Sequence, residues 1–314
     1  MKISIVTPSY NQAGHLAQTL RSVLDSASEG GVDLEYVVID GGSTDGSKEV
    51  ISQYADRLAY WCSEPDGGQY AAINKGFEKT AGDIMGWLNS SDLYFPWTLA
   101  TVVEIFEKFP EVQWVTTLQK TCVRENGGFD SVVEVAGFSA GSFRRGLHGS
   151  PTNGEFIQQE TCFWRRELWE KIGGRLTDRY RYAADFWLWG EFFRHARCTG
   201  IEAPLAAFRF HGEQRSADGG YMKDVQKILE ELQAEPRGNF SQGYQNIVRH
   251  WIPSGDGAGG KSVWKLDRHA DDAFLGIFRW WMRRAGDLKW AGSKWTYLPV
   301  AAWKFAARGF RRAK

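Results

Sequence analysis

The sequence predicts an α/β domain built on a mostly parallel sheet. Short apolar runs alternate with helical stretches through the first 110 residues, the pattern of βαβ units. Three of those runs end in loops rich in Gly, Asp and Ser, and 43% hydrophobic content over 314 residues supports a substantial core.

Ile3–Thr7 is the first expected strand, left through Pro8-Ser9-Tyr10-Asn11. Leu16, Leu20, Val23, Leu24 and Ala27 follow at helical spacing, and Gly30-Gly31 ends that helix. Leu34–Ile39 is the second strand, opening into Asp40-Gly41-Gly42-Ser43, with Asp45 placed to cap a helix over Ser47–Asp56. A third strand, Leu58–Ser63, ends in Glu64-Pro65-Asp66-Gly67-Gly68 and precedes a helix over Tyr70–Lys79. The fourth, Ile84–Leu88, runs into Asn89-Ser90-Ser91-Asp92. Leu99, Val102, Val103 and Phe106 mark the next helix, closed by Pro110.

Ligands of open α/β sheets sit beyond the carboxyl ends of strands, so these loops define a binding crevice along one edge. Any one of them alone is ordinary turn chemistry. Asp40 suits hydrogen bonding to a base or ribose, and Gly41 and Gly42 let backbone approach a ligand closely. There is no GxGxxG, which disfavours a dinucleotide fold.

Lys+Arg and Asp+Glu are equal at 38 each, but residues 276–314 hold ten of the bases against the single acid Asp287. The tail also carries Trp280, Trp281, Trp290, Trp295 and Trp303. Basic and aromatic residues together suggest amphipathic helices on an anionic membrane surface, or a helical hairpin packed on the body or on another subunit. No nucleic-acid recognition motif accompanies the charge. Cysteines 62, 122, 162 and 198 form no CxxC pair, against a zinc site and in favour of a reducing compartment. With neither a signal-peptide pattern nor a membrane-length apolar run, the expected location is cytoplasmic, peripheral at the membrane's inner face. Residues 255–262 match the P-loop pattern, but NIVRHWIP before them has no clean alternation, and a glycine-rich linker explains them better.

The runs TPSYNQ, YVVIDGGSTDGS, SEPDGGQYAAINKGF and AGDIMGWLNSSD, in this order, resemble the family 2 glycosyltransferases. The resemblance is strong over 1–97 and thins towards residue 215. It implies the GT-A fold, a Rossmann-like nucleotide-binding sheet with helices on both faces, here with a helical, basic C-terminal extension. It also implies an inverting enzyme that moves a sugar from a nucleotide-diphosphate donor, a UDP-sugar foremost, to a glycan or lipid-linked acceptor in cell-surface polysaccharide or glycolipid synthesis. Residues 1–110 would form the nucleotide-sugar half, 111–235 the acceptor half and 236–314 a linker and tail.

By the same resemblance, Pro8, Tyr10, Asn11, Asp40, Gly42, Ser43 and Asp66 would line the nucleotide, and Lys75 would approach its phosphates. LNSSD falls where the family carries a DxD-type motif holding Mg²⁺ or Mn²⁺. This sequence departs there, because Asn89 and Ser91 replace the usual carboxylates and leave Asp92 alone. Either a metal is held by Asp92 and His211, with Asn89 and Ser91 as neutral donor-site groups, or Asn89 and Ser91 cap the following helix. Residues 154–160 and 161–169 resemble the segment facing acceptor and donor sugar. Asp185 matches the family's general base at the start of a helix, with a plain N-cap as its alternative role. Trp187 stands where a second Asp is common. Arg209 or Arg215 would contact phosphate. The rival reading is a catalytically weakened sugar-nucleotide-binding scaffold; a P-loop nucleotidase is a distant third.

Overall fold

The computed structural model describes residues 1–149, 156–212, 214, 219–241, 245–251 and 263–270. Expectations for 255–262, for the tail from 274 onward and for Arg215 lie outside the described residues. In chain order the first half runs β1 (Ile3–Ser9), α1 (Ala13–Gly30), β2 (Leu34–Asp40), α2 (Ser47–Ser52), β3 (Tyr60–Ser63), α3 (Gln69–Phe77) and β4 (Ile84–Trp87). Then come β5 (Leu93–Tyr94), α4 (Thr98–Lys108), β6 (Trp114–Thr117), β7 (Gln119–Val123), β8 (Phe129–Glu134) and α5 (Ala140–Arg144). The remainder is β9 (Phe163–Arg165), α6 (Arg166–Lys171), α7 (Ala184–His195), β10 (Cys198–Ile201), β11 (Ala206–Arg209), α8 (Gly220–Ala234), β12 (Gln245–Trp251) and β13 (Val263–Ala270).

The main sheet has the order β13-β12-β10-β6-β9-β4-β1-β2-β3. β3, β2, β1 and β4 are mutually parallel, and β9 enters antiparallel between β4 and β6. Every residue of β1 is buried, as befits a strand covered on both faces by helices. Alternate side chains feed two cores: Ile5 joins Leu16 and Leu20 of α1 and Ile105 of α4, while Val6 joins Ile73 and Phe77 of α3. α3 sits so close to β1 that a Cβ on Gly76 would fall 2.4 Å from Val6 Cγ1. α1 stops where Gly31 turns left-handed at φ 61° and the Val32 N–H closes onto Ala27 O at 2.9 Å.

The second core is aromatic. Trp189 of α7 stacks between Trp87 of β4 (6.1 Å, 8°) and Trp114 of β6 (5.5 Å, 11°), and Trp164 of β9 meets Trp87 edge-on. Such pairs add about 0.5–1.5 kcal/mol each beyond area burial. They fix α7 against the sheet and so fix what its first turn presents. Trp189 is 1% exposed, a packing residue.

One expectation is corrected and two features of the sheets are added. The helix expected over Ser47–Asp56 ends at Ser52, whose hydroxyl bonds back to Glu49 O at 2.7 Å; Ala55–Arg57 forms a separate 3-10 turn. A second sheet, β5-β11-β7-β8, was not expected, although the alternation over Ala207-Phe208-Arg209-Phe210 marks its strand β11. The main sheet continues past residue 236. NIVRHW forms β12, parallel to β10, and β13 pairs antiparallel with it. A P-loop must open a helix after its Lys-Ser, whereas here the chain enters strand β13 at Val263.

Candidate active site

The carboxyl ends of β1 and β2 are stitched together by their own polar side chains. Asp40, the last residue of β2, is fully buried and accepts hydrogen bonds from the Ser43 N–H (2.9 Å), the Ser43 hydroxyl and the Ser63 hydroxyl (2.6 Å). Asn11, at φ 51°, donates its N–H to Ser43 Oγ and accepts from the Thr44 N–H. Asp45 sits one residue outside the α2 cap; it accepts from Ser47 N–H and, across the crevice, from the first N–H of α1 at Ala13. Anionic oxygens thus serve two helix N-termini at once.

The β3 loop closes against this pair. A Cβ on Gly41 would lie 3.2 Å from the Asp66 carboxylate, and Gly42, at φ 81°, leaves no room before Pro65 N. Asp66 accepts from the Gly68 N–H at 2.7 Å. Pro8, Asn11, Asp40, Gly42, Ser43 and Asp66 therefore meet on one edge, and Tyr10 stands beside them 63% exposed. The Lys75 ammonium is ion-paired with Glu64, one residue past the end of β3.

The loop after β4 is an amide network. Gln69 Nε2 donates to Asn89 Oδ1 (2.6 Å), Asn89 Nδ2 to Gln159 Oε1 (3.0 Å), and Gln159 Nε2 to Trp87 O (2.8 Å). Asn89 Nδ2 also reaches Asp92 Oδ2 at 3.4 Å, while the Arg209 N–H bonds Asp92 Oδ1 at 3.0 Å. Asp92 is 1% exposed, and burial pushes its carboxyl up to about 7 against those two donors, which favour the charged form. Burial, then the Asp92 charge, also pushes the Glu160 carboxyl well above its usual range; Gln158 Nε2 donates to it at 2.6 Å.

Arg209 was, with Arg215, one of two candidates for phosphate. Its guanidinium instead bonds Ser91 O, Glu125 O and Gln18 Oε1, each at 2.7 Å, and desolvation lowers its pKa. His211, two residues on, packs its ring 5.3 Å from His15 of α1. The expected metal set of Asp92 and His211 does not fit a divalent ion. Both Asp92 oxygens are engaged, Asn89 and Ser91 are neutral, and among the described residues no cluster of three His, Cys, Asp or Glu could hold a metal. Nor do Asn89 and Ser91 cap the next helix, because β5 intervenes before α4.

Asp185 lies in the first turn of α7, one residue inside Ala184, so it is not the N-cap. It is half-buried and hydrogen-bonded with Tyr221 of α8, whose phenol is raised by desolvation, then by the charge of Asp185 and the neighbouring Tyr70. The chain into α7 is clamped by α3. Asn74 of α3 brackets Leu176 through both backbone groups, and Tyr70 donates its hydroxyl to Tyr182 O at 2.7 Å. Tyr70 directly follows Gln69 of the amide network, so α3 ties the β4 loop to the Asp185 turn. Gln69, Gln159 and Glu160 were missed as individual residues although their runs, SEPDGGQ and GEFIQQE, stood out. Tyr221 had no sequence signal.

A parallel-rich α/β sheet with helices on both faces and polar loops gathered along one edge is the architecture of the GT-A fold. The sequence model described as glycosyl transferase family 2 matches residues 4–173, more than half of the chain. This chain belongs to that family. An uncharacterised glycosyltransferase of Mycobacterium tuberculosis strain H37Rv is 33% identical over 185 residues, covering 58% of this chain and 65% of the relative. One from Nostoc sp. is 34% identical over 110 residues, covering 34% of this chain and 33% of the relative. This chain therefore spans less than two thirds of either relative's length. Among solved structures, S. aureus TarS 1–349 in complex with UDP-GlcNAc superposes with TM-score 0.56 at 16% identity, over 74% of this chain and 65% of that one. The mannosyltransferase PcManGT from Pyrobaculum calidifontis, in complex with GDP-Man and Mn²⁺, gives 0.54 at 19%, over 75% and 65%. At these identities the likeness is one of fold. Among the described residues, no helix is long and apolar enough to cross a membrane.

Proposed function

We propose that this protein transfers a sugar from a nucleotide-diphosphate donor to a hydroxyl acceptor with inversion. The observation that carries the reading is Asp185, a half-buried carboxylate held by Tyr221 in the first turn of α7 and linked through α3 to the crevice edge. The nucleotide would lie along Tyr10, Asn11, Asp40, Ser43 and Asp66. Asp185 would take the acceptor proton while the hydroxyl oxygen bonds to the anomeric carbon and the bond from that carbon to the diphosphate breaks on the opposite face. The transition state gathers positive charge on the sugar ring, as in other glycosyl chemistry. No step passes through a metal, because the site does not fit one. The acceptor is a hydroxyl, and a glycan or lipid-linked alcohol is the class that the family resemblance implies. The solved neighbours holding UDP-GlcNAc and GDP-Man support a sugar nucleotide as donor.

The test is a screen of UDP- and GDP-sugars for release of nucleoside diphosphate, followed by NMR of the product's anomeric configuration. Release from one donor and an inverted product are expected. Nucleotide binding with no release from any donor would favour the scaffold reading, whose support is the loss of carboxylates at Asn89 and Ser91. A retained configuration would remove the single-displacement mechanism.

A further inference from the structure

The loop after β4 has a neutral side chain at each position where a metal-binding loop of this shape needs charge, and its one carboxylate is turned inward. Asp92 faces the Arg209 backbone and the Asn89 amide, and only 1% of its surface meets solvent. Asn89 is held on three sides, accepting from Gln69 and donating to Gln159 and Asp92. The pattern needs an amide. An aspartate at 89 could still accept from Gln69, but it would offer no N–H to Gln159 Oε1 and would set a second charge against Asp92. Gln159 is locked in turn by Trp87 O on the adjoining strand. The remaining position, half-buried Ser91, has its backbone pinned by the Arg209 guanidinium at 2.7 Å.

We infer that this chain holds its donor nucleotide without a divalent cation, the carboxamides of Gln69, Asn89 and Gln159 having replaced a metal-binding loop by a self-satisfied hydrogen-bond network. The inference rests on the reading of the crevice as a nucleotide site. Hard cations such as Mg²⁺ and Mn²⁺ draw their affinity from anionic oxygen, and a serine hydroxyl with an engaged amide supplies little. A cation bridging the diphosphate would therefore gain no charged protein ligand from this loop. Ser91 is the position at which one carboxylate would restore it, since the backbone there is already fixed and the network at 89 need not change.

The experiment titrates UDP, and GDP in parallel, against the full-length protein by calorimetry, once in EDTA and once in Mn²⁺. Free Mn²⁺ is followed by electron paramagnetic resonance, with and without nucleotide. Wild type is expected to bind one nucleotide with affinities differing less than threefold between EDTA and Mn²⁺, and to deplete no free Mn²⁺ beyond what the nucleotide alone takes. Ser91→Asp is expected to make the affinity Mn²⁺-dependent by threefold or more and to deplete free Mn²⁺. A wild type that gains threefold or more in Mn²⁺ overturns the inference and leaves the nucleotide site standing. Binding of neither nucleotide under either condition would bring down the site reading, and the inference with it. A folded Ser91→Asp with no metal dependence would show that position 91 is not where a metal-binding loop was lost.

Discussion

Replacing Asp92 by Asn removes the titrating group at the centre of the β4 loop while keeping its shape and an acceptor for the Arg209 N–H. In the folded protein burial lifts the Asp92 carboxyl from 3.8 to about 7. A raised folded-state pKa means that the fold favours the protonated form. The stability linked to it is complete below the unfolded value near 4 and is lost as pH rises to about 7, with no further loss above. That rise corresponds to about 4 kcal/mol in total, of which about 3 kcal/mol falls between pH 4.5 and 8. Glu160 pushes in the same direction. Because the Asp92 charge is one cause of its shift, the variant relieves part of that too, so the gap reads the pair with Asp92 as its larger member. Urea unfolding of wild type and Asp92→Asn at pH 4.5, 6 and 8 reads the effect as a gap that moves in favour of the variant as pH rises. A gap that does not change with pH would refute the claim that this carboxyl is buried against its charge.

Other perturbations test the frame around the site. Trp189→Ala should cost about 3–5 kcal/mol, because a side chain stacked on both Trp87 and Trp114 leaves a cavity; chemical denaturation checks it. Gly76→Ala should cost about 1–3 kcal/mol from the forced contact with Val6, read as a lower midpoint of thermal unfolding. Asp40→Ala strips the loop of the acceptor for Ser43 and Ser63, so nucleotide affinity should fall by tenfold or more in calorimetry while far-UV circular dichroism stays unchanged. Gln159→Ala leaves the Asn89 amide and Trp87 O without their shared partner. It should destabilise by about 1–3 kcal/mol in urea unfolding.

The first half of the fold was legible because its strands are short apolar runs buried on both faces and its loops announce themselves by composition. TPSYN, DGGSTDGS and EPDGGQ do meet at one edge, with Asp40 and Asp66 where strand-end logic puts them. The second sheet was not legible, since β5 is two residues long and β8 is almost wholly exposed, with no apolar pattern to follow. The same limit hid β12, whose alternation is broken by polar residues although its neighbour β10 is fully buried. Site chemistry was least legible where a side chain's partner comes from another element. Arg209 suits phosphate by type, but Ser91, Glu125 and Gln18 surround it in space. Lys75 was matched to phosphates by resemblance, while Glu64 eleven residues earlier engages it. Nothing in LNSSD says which way the Asp92 carboxylate turns.

The central claim is that Asp185 is the base of a sugar-transfer reaction, and turnover of Asp185→Asn with the donor found in the screen tests it most directly. The amide keeps the size of the side chain and an acceptor for the Tyr221 hydroxyl but cannot take a proton. The account predicts a fall in kcat of at least a hundredfold, at the scale of general-base catalysis, with nucleotide affinity by calorimetry within twofold of wild type. Turnover near that of wild type would contradict it and assign the proton to another group.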